Sequence, residues 1–210
     1  MKISALQMDD VLVALHNVDE AKRSALAART RHFKRLGFPE GANVGRGRTS
    51  FYGIGQLIDL LLAFELSQFG VNPERVVEIL SAAKYLSKPI VRDYLDRLSG
   101  SQPPSLIIHI DPRAADSLSA RNPAEDHDLL DMVENDAVFF AENWLTDANR
   151  FHWRRRALID ATTLMREAAH VLAHLGICSP EELYDAMEAF DRAAKIEAEK
   201  ELKELLDGDG

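Results

Sequence analysis

The chain has 210 residues, 46% hydrophobic and 28% charged, the balance of a globular protein of one ordinary domain or two small ones. Its richest apolar stretch, residues 56–64, holds Asp59 and falls well short of the roughly 18 apolar residues of a membrane span. A lone cysteine, Cys178, excludes an internal disulfide and a Cys-based zinc finger.

Met1-Lys2-Ile3-Ser4 leads to Asp9-Asp10 rather than into an apolar run, so no secretory signal is expected. The reading is a cytoplasmic protein with no membrane contact. The formal net charge of −9 is unevenly shared: 14 basic against 11 acidic residues in 1–100, and 11 against 23 in 101–210.

In chain order, Met8, Val11, Leu12 and Leu15 have helical apolar spacing over 8–15. His16-Asn17-Val18 reads as a turn, and Asp19 as the N-cap of a helix running to about Leu36. That helix carries Leu26, Phe33 and Leu36 on one side, with Thr30 between them. Gly37 supplies its stop. Residues 38–52 are glycine-rich, basic and loop-like, closing on a short β-prone stretch, 49–52. Residues 54–69 are apolar nearly all round, as a buried central helix would be. Asn72-Pro73-Glu74-Arg75 starts another helix. Ser99 to Pro104, with Ser-Gly and Pro-Pro, is the best linker.

Beyond it, Leu106 to Ile110 is the most strand-like segment. Residues 113–136 read as polar, acidic surface, and 137–140 as a partner strand or one face of a helix through Trp144. Residues 153–175 are expected to be helical, with Leu158, Ala161, Met165, Ala168, Leu172 and Leu175 as a seam closed by Gly176. Ser179-Pro180-Glu181-Glu182 is a capping box opening the last helix, which turns almost wholly charged after Asp191 and should fray.

Eight basic residues lie within 22–48 (Lys22, Arg23, Arg29, Arg31, Lys34, Arg35, Arg46, Arg48) against one acid, Glu40. Such a patch on an acidic chain is the footprint of a local polyanion site. A basic helix after a turn is what a helix-turn-helix needs, with its exposed face in a major groove. If Leu26, Phe33 and Leu36 point inward, Ser24, Ala28, Arg31 and Arg35 share the outer side, with Ala27 and Lys34 flanking. Arginine suits guanine O6/N7, and Lys34 suits phosphate. Arg29 sits nearer the buried edge, where bracing the fold competes with a base contact. Gly45-Arg46-Gly47-Arg48-Thr49 looks like the tip of a wing.

Three segments carry a resemblance. Arg31-His32-Phe33-Lys34-Arg35-Leu36-Gly37-Phe38 resembles the signature ending the second helix of MerR-type winged helix-turn-helix proteins. Arg46 to Tyr52 is similar to that family's wing, Phe51-Tyr52 standing where an Arg-Tyr pair closes it. Phe69 to Arg75 resembles the link into its fourth helix. The match covers about residues 8–80. It implies that Arg31, Arg46 and Arg48 touch DNA and that the protein is a homodimer. Departures are the extra residues from Asp19 to Ala25, the interruption of the expected long dimerising helix by Pro89, and the absence of the metal-sensing cysteines. The resemblance therefore implies the DNA-binding module and not the family's effector chemistry.

The expected fold is mainly α: a MerR-like winged helix-turn-helix domain over 5–98, then an acidic, mostly helical domain over 105–210, with one or two short strands, for dimerisation or interaction. The expected DNA-binding residues are Lys22, Arg23, Ser24, Ala28, Arg31, His32, Lys34, Arg35, Arg46, Arg48, Thr49 and Tyr52. The expected partners are double-stranded DNA, a second copy of the chain, and RNA polymerase or another regulatory protein.

Blander roles compete elsewhere. His170 and His174 have metal-pair spacing, but Gly176 separates them from Cys178, and flanking a packed seam suits them better. Arg154-Arg155-Arg156 is read as pairing with local carboxylates, and Trp144 and Trp153 as packing. No hydrolase elbow, P-loop, dinucleotide fingerprint or zinc-protease motif occurs, so no catalytic residue, metal or cofactor is expected. The function read is a sequence-specific transcriptional regulator. The alternative is a DNA-architectural or DNA-packaging protein of mobile-element type built on the same module. A protein-interaction adaptor that has lost DNA binding is the third reading, and the basic face argues against it.

Overall fold

In the computed structural model of the chain the described residues are 1–42, 51–110, 130–135 and 157–207. They are mainly helical, with two small antiparallel sheets. Ile3–Ser4 (β1) pairs with Phe51–Tyr52 (β2), Ile3 lying opposite Tyr52. Ser4 then caps α1 (Ala5–Leu15): its hydroxyl accepts from the Gln7 amide at 3.3 Å, and its own amide donates to Gln7 Oε1 at 2.9 Å. This reciprocal box satisfies two orphan donors and sets the helix start three residues earlier than the apolar spacing does.

The single helix expected from Asp19 is divided. Glu20–Lys22 is a 3-10 turn, and α2 spans Arg23–Arg35. The Asp19 carboxylate accepts from the Ala21 amide, two residues on, at 2.8 Å. It thereby caps the tight turn, and α2 begins at Arg23, with Lys22 at its N-cap position giving no side-chain cap. At the other end Gly37 adopts φ +82°, and Phe38 N–H donates to the Phe33 carbonyl at 3.0 Å. Only glycine takes that conformation without steric cost.

The helix α3 (Ile54–Gln68) buries nine of its fifteen residues, as its all-round apolar sequence predicts. It packs against α4 (Pro73–Ala82), which the Asn72 side chain caps by accepting from Arg75 N–H at 2.8 Å. A 3-10 turn at Lys84–Leu86 leads into α5 (Ser87–Leu98). Pro89 lies in the first turn of α5, where its missing N–H has no partner to lose.

The linker read at 99–104 is held at several points. Arg97 donates to both oxygens of Asp93 (2.9 and 3.0 Å) and to the carbonyls of Pro103 (2.8 Å) and Pro104 (2.9 Å). Asp93, 7% exposed, also accepts from the Thr162 hydroxyl at 2.9 Å, and that hydroxyl accepts from Leu106 N–H at 2.9 Å. One buried carboxylate thus ties α5, the proline pair and the next strand together.

That strand, β3 (Ser105–Ile110), is central in an antiparallel sheet, between β4 (Leu130–Asn135) and β5 (Ala157–Asp160). Three strands stand where one or two were expected, and β4 falls in a segment read as polar surface. The segment 137–140, with Trp144, Trp153 and Arg154 to Arg156, lies outside the described residues. The helix expected over 153–175 starts only at Ala161. Asp160 caps α6 (Ala161–His174), accepting from Thr163 N–H at 2.9 Å and its hydroxyl at 2.8 Å. Leu158 therefore leaves the seam and is 37% exposed on a strand, and Leu175 is 41% exposed. Ala161, Met165, Ala168 and Leu172 are buried as the seam requires. Gly176 ends α6 with φ +62°. Ser179 and Glu182 form the expected box (2.8 and 3.1 Å), and α7 runs from Pro180 to Asp207 through the charged stretch.

The buried side chains form one cluster from Ile3 to Met187, with no seam at 99–104. The helix α6 packs on α1 and α5, and α7 on α5 and α3. At Gly55 an added Cβ would meet the Phe190 ring at 2.8 Å, so the missing side chain lets α7 approach α3. Arg92 and Lys195 both bind Asp191, at 3.0 and 2.6 Å, joining α5 to α7 on the surface side.

Candidate nucleic-acid interface

The geometry of α2 follows from its sequence. Leu26, Thr30 and Phe33 are buried and Leu36 is half-buried, so the helix lies with that side on α1 and α4. Phe33 packs edge-on to Phe38 and Phe64 with ring centres 6.2 and 6.0 Å apart. Ser24, Ala28, Arg31 and Arg35 are exposed along the opposite face, as the spacing predicts. Lys22 is exposed at the lead-in. Arg29 is exposed as well, on the solvent side of the edge where a bracing role was weighed. Two guanidiniums and two small side chains thus share one open face, with further cations at its margins.

Other members of the expected set are engaged within the protein. Arg23 is half-buried, paired with Asp10 of α1 and 3.8 Å from Glu20. It fastens α1 to the start of α2. His32 Nε2 lies 3.1 Å from Glu74 Oε1 on α4, and its Nδ1 lies 3.3 Å from Arg35 Nη2. Lys34 is half-buried. Tyr52 is 2% exposed and belongs to the core beneath the β1–β2 pair, so its ring is not on the open surface. Burial pushes its phenol up, and the nearby Asp9 carboxylate pushes it further. Arg46, Arg48 and Thr49 lie outside the described residues.

Beneath the face, Asp9 of α1 has one buried carboxylate oxygen without a hydrogen-bond partner. Burial raises its pKa, while a hydrogen bond from Thr30 and the charges of Arg31 and Arg23 hold it down. Sequence reasoning gave Asp9, Asp10 and Glu74 no part in this region. Asp10 and Glu74 brace α2 from the flanking helices, and only the tertiary pairing brings them there. The nearest sequence signal is a set of acids on the two helices that flank a basic one.

Outside this face the described residues offer little reactive chemistry. An open cleft of about 320 Å³ between α5 and α7 is lined by Lys88, Arg92, Asp96 and Lys195. Another of about 570 Å³, between α1 and α6, is lined by Arg166, Glu167 and His170. The His170 and His174 rings stack 6.4 Å apart. Cys178 is buried, and burial raises its thiol pKa. Among the described residues no group of three His, Cys, Asp or Glu is placed to hold a metal ion, and no helix is long and apolar enough to cross a membrane. The chain matches no protein-family model, no curated protein and no solved structure.

Proposed function

We propose that the chain is a sequence-specific double-stranded-DNA-binding regulator of transcription, acting through binding alone. The observation that carries the reading is the exposed face of α2, which Arg31 and Arg35 share with Ser24 and Ala28, with Lys22 exposed at its lead-in. Guanidiniums reach base edges, and small residues let the helix backbone approach the groove. In this reading α1 and α2 are a MerR-like helix-turn-helix, and β1–β2 is the base of a wing whose tip carries Arg46, Arg48 and Thr49. The acidic half turns away from the DNA, joins a second copy so that two half-sites are read, and meets polymerase or another regulator in the cytoplasm.

Selection from a pool of randomised duplexes tests this. A short, two-fold-related motif is expected. Duplexes of every sequence left unbound would refute the reading, and protection spreading along DNA would favour the architectural alternative. Arg31→Ala and Arg35→Ala should each relax preference by about 1–3 kcal/mol per true base contact. Arg46→Ala with Arg48→Ala should weaken binding to all sequences and flatten the salt dependence by roughly one unit per lost phosphate contact.

A further inference from the structure

The DNA-facing Arg35 is not held by α2 alone. Its Nη2 lies 3.3 Å from His32 Nδ1, and His32 Nε2 lies 3.1 Å from Glu74 Oε1 on α4. A guanidinium can only donate, so Nδ1 must accept with its lone pair. The imidazole proton is then on Nε2, pointing at a carboxylate oxygen that can only accept. The polarity of the chain is fixed: Arg35 donates to His32, and His32 donates to Glu74. Glu74 lies in the first turn of α4, where its own backbone N–H, followed by the His32 hydrogen bond, lowers its pKa and keeps it ionised.

We infer that His32 is a positioning residue for base reading, a relay through which Glu74 of α4 fixes the rotamer in which Arg35 meets a base edge. The inference rests on the DNA-binding reading proposed above and names how one of its contacts is set. A long, exposed arginine loses rotamer freedom when it binds, and a preset rotamer lowers that cost for the one base it fits. The other charged groups on elements packed against α2 are Asp9 and Asp10 on α1, Glu20 and Lys22 in the 3-10 turn, and Arg75 and Glu78 on α4. Asp10 is paired with Arg23, and Arg75 with Glu78 at 3.1 Å.

The experiment uses the full chain. The wild type, His32→Leu, His32→Gln, Arg35→Ala and the His32→Leu/Arg35→Ala double variant are each put through selection from randomised duplexes. Affinities follow for the enriched duplex and for its single-base-pair variants. His32→Leu should cost about tenfold in preference at the base pairs that Arg35→Ala affects, and the double variant should lose no more than Arg35→Ala. His32→Gln, which can accept from Arg35 and donate to Glu74 through one amide, should restore the preference. Melting curves identify any variant that has merely unfolded, and the glutamine rescue remains decisive there. Unchanged preference in His32→Leu with a wild type that selects a motif would overturn the relay and leave the DNA reading standing. A wild type that selects nothing would overturn both.

Discussion

The carboxyl of Asp59 sits on the otherwise apolar α3, half-buried, with its pKa pushed up to about 6 by burial first and by the Glu40 charge second, Lys84 opposing. Glu40 is itself engaged by Lys84 at 2.5 Å, and its carbonyl takes a hydrogen bond from Gln56 at 2.7 Å. The folded protein therefore binds this proton more tightly than the unfolded chain, where the group has its ordinary value near 3.8. Below that value the two states are equally protonated. Stability then falls as pH rises through the interval up to about 6, and the full penalty is present above it. Asp59→Asn should remove this pH dependence and stabilise the protein at pH 7 by about 1–3 kcal/mol, as read from urea denaturation across pH. A variant whose stability follows the same pH curve as the wild type would contradict this.

Asp93 is the opposite kind of acid, buried and fully engaged. Arg97→Ala should cost about 3–5 kcal/mol, because it leaves a buried carboxylate without its cation and frees the carbonyls of Pro103 and Pro104. Chemical denaturation measures the loss, and proteolysis should then cut the variant at 99–104 faster than the wild type. Equal resistance in the two proteins would show that the clamp does not hold the crossing.

These elements differ in how far they could be read beforehand. The inner and outer sides of α2, the burial of α3, the Asn-Pro start of α4 and the Ser179 box follow from spacing and cap chemistry that lie within one turn of helix. The start of α6 did not, because Leu158 fits a helical seam and a strand equally well, and pairing with His109 across the sheet decides it. β4 was missed for a similar reason: acids alternate with Leu130, Met132 and Val133, and only the register against β3 makes a strand of them. That the proline segment is held was not legible from composition, since Asp93 and Thr162, which secure it, are 69 residues apart in sequence. At the candidate interface the exposed arginines were legible, while Asp10 and Glu74, the partners of Arg23 and His32, lie on other helices.

At the scale of the molecule, the basic half and the acidic half share one core. The 1–98 fragment would leave uncovered the apolar surfaces that α1, α3 and α5 bury under α6 and α7. It should melt at much lower temperature, or without cooperativity, by circular dichroism. A fragment with the cooperative melt of the full chain would show that the first half is independently stable. Gly55→Val should act through the same contact from the other side, forcing Phe190 from α3 and loosening α7 at a cost of about 1–3 kcal/mol.

The Arg97 clamp has a consequence for any message that passes along the chain. A swivel at the prolines would let one half turn while the other stayed still, and whatever gripped residues 157–207 would go unheard at the basic helix. Pinned as it is, the crossing acts like a welded joint, and a twist imposed at one end must be felt at the other.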